Sequence, residues 1–524
     1  MTAILSIDAY TLDYHLQSGT RRALDDITLA ITPGEVLGLV GESGSGKSSL
    51  AWAITRALPA NARETGGAIR LGPLDLRTAS AATIANIRGR RIAMVFQDPS
   101  TSLNPTIPLG EQVIEVLMRH RGLDRATASD AAETALADVE LRDPAAIMRR
   151  YPHEASGGEK QRVVIATAFA TNPDLILFDE PTTALDVITG ARILELFARL
   201  RAKTGVAALY ISHDLGLVAR VADRVAVLRH GIIVEQGVPT AVFRAPAHPY
   251  TSELVAAVPL PTKRLVNDAP APEALLTATA ISVQYARKRL FRPTPPPATH
   301  AINLTVRRRE ILGIVGESGS GKSSLARALT GLANFSGTIT AAGHPIKSAG
   351  DMNKAYRRAV QIVFQNPDAS LNPRMRIGEI LARPLHLYGG DPKNVAQLLD
   401  QVRLPSAYAG KYPHQLSGGE KQRVAIARAF AARPELVICD EITASLDVSV
   451  QAQVIDLLLA LHQAHGTAYL FITHDLNLVR QIAHRIAVMR DGAIVDLRDA
   501  ADIASPDANP YTTALLAASP SPLG

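Results

Sequence analysis

Short apolar runs recur at matching places in the two halves of the chain. Glu35–Val40 (EVLGLV) and Glu310–Val315 (EILGIV) form one pair, and Leu175–Glu180 (LILFDE) and Leu436–Glu441 (LVICDE) form another. Each reads as a strand, and between them lie helical stretches such as Val163–Phe169 and Val424–Phe430. Strands alternating with helices predict a mainly parallel α/β sheet in each half.

The halves are an internal repeat. Gly41–Leu50 and Gly316–Leu325 carry the identical decapeptide GESGSGKSSL, with Lys47 and Lys322 275 residues apart. Further on, Ser156 pairs with Ser417, Asp179 with Asp440 and His213 with His474, each 261 residues apart. The tails His248–Thr251 (HPYT) and Asn509–Thr512 (NPYT) keep that interval. The pattern lapses at Pro259–Pro272, a proline-rich aperiodic stretch that predicts an extended linker. We therefore expect domains at 1–262 and 276–524 joined by 263–275, and a loop at Pro293–Pro297 between two early strands of the second domain.

Composition narrows the class. An apolar fraction of 47% and a charged fraction of 20% over 524 residues fit an ordinary globular protein of several domains. The net charge of +6 suits phosphate-bearing ligands, an anionic membrane surface or nothing specific, without selecting among them. No uninterrupted apolar stretch is long enough to span a bilayer, and the start does not read as a secretion signal. The one cysteine, Cys439, excludes an intramolecular disulfide and reads as a buried strand residue.

The decapeptide fits G-x-x-x-x-G-K-[ST], and each copy follows a predicted strand, as a triphosphate-binding loop must. Gly41, Gly44 and Gly46, and likewise Gly316, Gly319 and Gly321, let backbone N–H groups approach phosphate oxygens. Lys47 and Lys322 should reach the β- and γ-phosphates, Ser48 and Ser323 should bind Mg²⁺, and Ser49 and Ser324 join them as nucleotide contacts. Asp179 and Asp440, at the ends of their strands, would hold Mg²⁺ through water. Glu180 and Glu441 would polarise the attacking water. Taken alone, such an acidic pair is a helix cap and a first-turn charge; its recurrence downstream of a phosphate loop favours the catalytic reading. SGGEKQR occurs at Ser156–Arg162 and Ser417–Arg423. Ser followed three residues later by Glu is a capping box, and Gly157–Gly158 and Gly418–Gly419 at the same helix start expose donors to an anion.

SGGE between a phosphate loop and a DE-ended strand resembles the ABC ATPases, over nearly the whole chain. The resemblance implies two tandem ABC-type nucleotide-binding domains, each a RecA-like mainly parallel core with an antiparallel β subdomain and a helical subdomain. It also implies that the halves form an intramolecular pseudo-dimer with two composite sites. One would combine Lys47, Ser48, Gln97, Asp179, Glu180 and His213 with Ser417, Gly418 and Gly419. The other would combine Lys322, Ser323, Gln365, Asp440, Glu441 and His474 with Ser156, Gly157 and Gly158. Gln97 and Gln365 match the family's switch glutamine, which senses Mg²⁺ and water. His213 and His474 match its γ-phosphate contact, Asp186 and Asp447 its interface loop, and Tyr14 and Tyr285 its adenine-stacking aromatics.

DPSTSLNP after Gln97, NPDASLNP after Gln365 and the HPYT and NPYT tails look like the ATPases of oligopeptide, dipeptide and nickel importers, here with both ATPases fused. That branch implies ATP and Mg²⁺, two separate transmembrane permease subunits, an extracytoplasmic binding protein and a peripheral place on the cytoplasmic face of the inner membrane. Some members carry an iron–sulfur cluster after HPYT; Ala256–Pro270 has no cysteine, so none is expected. Two substitutions depart from the pattern: Ala155 precedes SGG where Leu416 is standard, and Ile442 follows the acidic pair where Pro181 is standard. Neither removes a charged or phosphate-binding group, so both sites should hydrolyse ATP. A soluble tandem ATPase acting on ribosomes or nucleic acid is the competing class. The short proline-rich connection, the lack of a lysine-rich run and the lack of a zinc-type cysteine set argue against it. A tandem sugar-importer ATPase would carry one degenerate site, and both sites here are intact.

Overall fold

A computed structural model describes residues 3–16, 19–183, 185–266, 268–285, 296–341, 343–444 and 446–519. Most of the loop expected at Pro293–Pro297 lies outside the described residues. The chain forms two compact units that meet between Val258 and Pro259.

In the first unit a six-stranded sheet runs in the order Ile232–Gly237, Arg224–Arg229, Val36–Val40, Ala207–Ile211, Leu175–Asp179, Ile92–Val95. Its pairings are parallel except at the Ile232–Gly237 edge, which is antiparallel. Such a sheet needs cover on both faces, which is why its strands are apolar runs without alternation. Leu175–Asp179 shows how the cover is divided. Leu175 and Leu177 pack towards a four-stranded antiparallel sheet, and Ile176 and Phe178 pack towards the helices. Phe178 meets Phe197 edge-on, 4.9 Å between ring centres. The antiparallel sheet, ordered Gly19–Ile31, Leu5–Leu16, Ala62–Leu71, Leu74–Asp75, lies over one face. The helices Leu109–Arg121, Arg125–Asp138, Pro144–Arg149 and Gly157–Ala170 form a lobe inserted after the strand Ile92–Val95.

The second unit repeats the design, with a six-stranded sheet ordered Val360–Val363, Leu436–Asp440, Ala468–Ile472, Ile311–Val315, Arg485–Arg490, Ala493–Asp499. Cys439 is buried in this sheet, and burial raises its thiol pKa. Among the described residues, no helix is long and apolar enough to cross a membrane.

The stretch expected to be an extended linker packs on the second unit. Leu265 N–H donates to the Gln481 carbonyl (2.8 Å), Gln481 Nε2 donates to the Leu260 carbonyl (2.8 Å), and Val266 is buried. In the first unit, Arg201 donates to Asp223 (2.6 Å), which also accepts the Val36 N–H (2.8 Å). His462 and His484 stand at the corresponding places. His484 Nδ1 accepts the Ile311 N–H (2.9 Å), and Asp268 of the connecting stretch brings a carboxylate 4.0 Å from His462 Nε2. The stretch thus brings a carboxylate to a place where the first unit carries Asp223 within its own fold. Replacing Pro259–Glu273 by Gly and Ser at equal length removes, among the described residues, one buried side chain and several hydrogen bonds. That should lower the second unit's unfolding temperature by roughly 5–10 °C in calorimetry and leave the first unit's transition in place.

Candidate active sites

Each phosphate loop leaves the C-terminal end of a central strand and enters a short helix, Lys47–Ile54 or Lys322–Leu329. Gly46 and Gly321 precede these helices with φ of 113° and 99°, a region that favours glycine. A Cβ at Gly41 would strike the Leu228 carbonyl, and one at Gly316 the Met489 carbonyl, so space as well as conformation excludes a side chain there. Lys47 Nζ donates to the carbonyls of Gly41 (2.7 Å) and Glu42 (2.8 Å); Lys322 Nζ donates to those of Gly316 and Glu317 (2.8 Å each). A buried ammonium curled onto carbonyls is poised to exchange them for the stronger charge-assisted bonds of a phosphate.

Ser48 Oγ donates to Asp179 (3.2 Å) and Ser323 Oγ to Asp440 (2.9 Å). Burial raises the pKa of both carboxyls, and the adjacent Glu adds to the rise. A cation at the hydroxyl–carboxylate pair offsets both effects. Glu180 and Glu441 follow with φ of 49° and 50°, a left-handed conformation that costs about 1–3 kcal/mol in a non-glycine residue. Their N–H groups still extend the sheet, donating to Ile211 and Ile472 (2.9 Å each). Gln97 Nε2 donates to Glu180 (2.9 Å) and Gln365 Nε2 to Glu441 (3.0 Å). The structure therefore brings the loop, both acids and the glutamine together in each unit.

Tyr14 Oη donates to Ser49 (3.2 Å) and Tyr285 Oη to Ser324 (3.3 Å), which sets each ring beside the first turn of the loop helix. Tyr14 also packs on the core, whereas Tyr285 is exposed.

Ser156 and Ser417 cap the helices Gly157–Ala170 and Gly418–Phe430 with complete capping boxes. The two glycines in each differ in kind. A Cβ at Gly158 would crowd Thr189 and one at Gly419 would collide with Val450. A Cβ at Gly157 would find nothing nearer than Leu185 at 3.9 Å, and one at Gly418 nothing within 4 Å. Neither Gly157 nor Gly418 has a positive φ, so nothing within its own unit demands glycine there. Asp186 and Asp447 cap the long helices Val187–Thr204 and Val448–His465.

The units differ around the glutamates. His213 Nδ1 lies 3.1 Å from Glu180, and Thr183 Oγ1 donates to Glu180 (3.1 Å). Sequence reasoning missed Thr183; its position three residues after Glu180 was the available signal. Ala444 stands at the equivalent place in the second unit. There Lys322 Nζ comes within 3.8 Å of Glu441, and among the described residues His474 makes no ion pair with Glu441.

Burial alone would raise the Glu180 pKa, but the His213 hydrogen bond and charge, with Lys47, hold it below 4.5. Burial alone would lower the His213 pKa, but Glu180 holds it above 6.5. The depressed acid loses its contribution to stability as pH falls through its folded pKa. The raised base loses its contribution as pH rises through its own. The pair therefore stabilises most between those two values. His213→Ala should cost the first unit more stability at about pH 6, below the imidazole's ordinary value, than at alkaline pH above its raised value, in denaturant titrations. His474→Ala, which removes no ion pair with Glu441, is the internal control.

Residues 24–183 and 299–444 match the family described as "ABC transporter", and residues 234–282 match "Oligopeptide/dipeptide transporter, C-terminal region". The chain is 42% identical to the peptidoglycan transport ATP-binding protein YejF of Agrobacterium fabrum, covering 98% of this chain and 96% of that one. It is 39% identical to the ABC transporter ATP-binding protein YejF of Escherichia coli, covering 98% and 99%. It is also 39% identical to the glutathione import ATP-binding protein GsiA of Salmonella typhimurium, covering 99% and 89%. Two intact phosphate loops, two strand-end acid pairs and a match along almost the whole length give one conclusion: the chain belongs to the ABC transporter ATP-binding proteins, as the ATP-hydrolysing motor of the oligopeptide/dipeptide importer branch.

Proposed function

We propose that this chain drives uptake of small peptide-bearing solutes through two separate permease subunits, from the cytoplasmic face of the membrane, with an extracytoplasmic binding protein delivering the cargo. Relatives named for peptidoglycan transport and for glutathione import share peptide character in their cargo, which supports that substrate class. The observation that carries the reading is the doubled hydrogen-bond set, Ser–Asp and Gln–Glu beside a lysine-bearing loop, preserved in both units.

In this reading Lys47 and Lys322 bind the phosphates. Mg²⁺ fits beside Ser48, Asp179 and Gln97, and beside Ser323, Asp440 and Gln365; few protein ligands with phosphate and water completing the shell is usual for this ion. When bound, the ion neutralises charge on the phosphates. Glu180 and Glu441 accept the proton of the attacking water, and Gln97 and Gln365 hold those carboxylates in place. His213, 3.1 Å from Glu180, lowers that carboxyl's pKa and would contact the γ-phosphate. The SGG helix start of each half serves the nucleotide held by the other half, so ATP favours a closed state that hydrolysis dissolves.

Affinity purification of the tagged chain from detergent-solubilised membranes tests the proposal. Two polytopic permeases in equal amounts are expected. Recovery with ribosomes or nucleic acid and no membrane protein would overturn it.

A further inference from the structure

The HPYT and NPYT tails enter the sequence as branch markers, and the structure gives the first three residues of each a place. His248 and Asn509 cap the helices Pro249–Ala256 and Pro510–Ala518, accepting the N–H of Tyr250 (3.1 Å) and Tyr511 (2.9 Å). Pro249 and Pro510 fill the first helical position, where no N–H is needed. Carboxylates on the edge strand fasten each helix start: Glu235 accepts the N–H groups of Ala247 (2.9 Å) and His248 (3.1 Å), and Asp496 accepts that of Asn509 (3.0 Å).

The tyrosines reach elsewhere. Tyr250 is buried, and its hydroxyl oxygen accepts the backbone N–H of Glu42 (3.1 Å). Tyr511 repeats this with the N–H of Glu317 (3.0 Å). Glu42 and Glu317 are the second residues of the phosphate loops. The peptide group between Gly41 and Glu42 is thus held at both ends, its carbonyl by Lys47 and its N–H by Tyr250. In the second unit Lys322 and Tyr511 hold the corresponding group. An arginine covers each ring, Arg229 at 4.6 Å and Arg490 at 5.0 Å, and each arginine ends the strand beside its loop strand. Ring and hydroxyl are therefore fixed independently of the tail's outer surface.

We infer that Tyr250 and Tyr511 are positioning residues for ATP binding: through one hydroxyl each, the C-terminal helices set the orientation of the first peptide group of the phosphate loops. This rests on the ATPase reading of the site. When a phosphate draws the lysine off the Gly41 or Gly316 carbonyl, the tyrosine keeps the far end of that peptide group from turning. Loss of the hydroxyl should weaken ATP binding and leave the chemical step intact.

The test is Tyr250→Phe, Tyr511→Phe and the double variant in the full-length chain, with His248→Asn as a control that keeps the helix cap, as Asn509 does in the second unit. ATP KM, kcat and unfolding temperature are measured together. Removing one hydrogen bond should raise the KM of the affected site about three- to ten-fold, with kcat within two-fold and little change in unfolding temperature. The control should match the unsubstituted chain. A purely structural tail would instead lower unfolding temperature and kcat together with KM unchanged, and that result would overturn the inference; so would no change in any of the three. Absence of ATP turnover in the unsubstituted chain would contradict the ATPase reading itself, and is read separately.

Discussion

Glu180→Gln and Glu441→Gln should each abolish ATP turnover at their own site while leaving ATP bound. The substitution keeps one oxygen in place, so the Gln97 or Gln365 amide retains an acceptor and the loop geometry survives. What disappears is the negative charge that draws a proton from the attacking water, an effect of about 10²–10⁴ in rate. Single-turnover kinetics with labelled ATP on each single variant would measure it. Glu180→Gln should show a second consequence that Glu441→Gln lacks. It takes away the carboxylate that raises the His213 pKa, so any pH dependence contributed by that pair should vanish from the first unit. A residual rate within a few-fold of the parent would remove Glu180 or Glu441 from the role of base.

Gly418→Asp should be nearly silent for folding and severe for function. Gly418 opens a well-capped helix with an ordinary backbone, and a Cβ there meets nothing within 4 Å. An acid in the first helical turn complements the helix dipole, so stability should stay within about 0.5 kcal/mol. If that helix start receives the γ-phosphate of a nucleotide held by the other half, the new carboxylate fills and repels the site. Turnover should then fall at least about a hundred-fold, the scale of losing preorganised donors at a developing charge. Gly157→Asp should behave alike. Gly419 is unsuitable for this purpose, because a Cβ there collides with Val450 and would confuse misfolding with lost function.

The catalytic constellation was legible because it is written in local sequence twice. A glycine-rich loop after an apolar run fixes strand, turn and helix start together, and an acid pair at a strand's end must project near the same sheet edge. The divided packing of Leu175–Asp179 likewise follows from an unbroken apolar run between two layers. Other features were not legible, for identifiable reasons. Equal spacing of His213 and His474 implies equal roles, but side-chain direction depends on neighbours, and among the described residues His213 meets its glutamate while His474 does not. The stretch after Val258 reads as a linker because proline and polarity hide its buried anchor, Val266, and its bonds to Gln481. That docking became readable only beside the exchange of Arg201 and Asp223 for His462 and His484, a pairing 22 residues apart along the chain. Tyr250 and Tyr511 bond to loops some 200 residues earlier, a distance over which no periodicity carries information.

Two working ATP sites per chain are the core of the proposed mechanism. The decisive measurement is the number of ATP molecules retained by the Glu180→Gln, Glu441→Gln double variant after rapid desalting in the presence of Mg²⁺. Two per chain are expected, falling below one when Gly157→Asp and Gly418→Asp are added. Retention of a single ATP per chain, or of two regardless of the glycine substitutions, would contradict that mechanism.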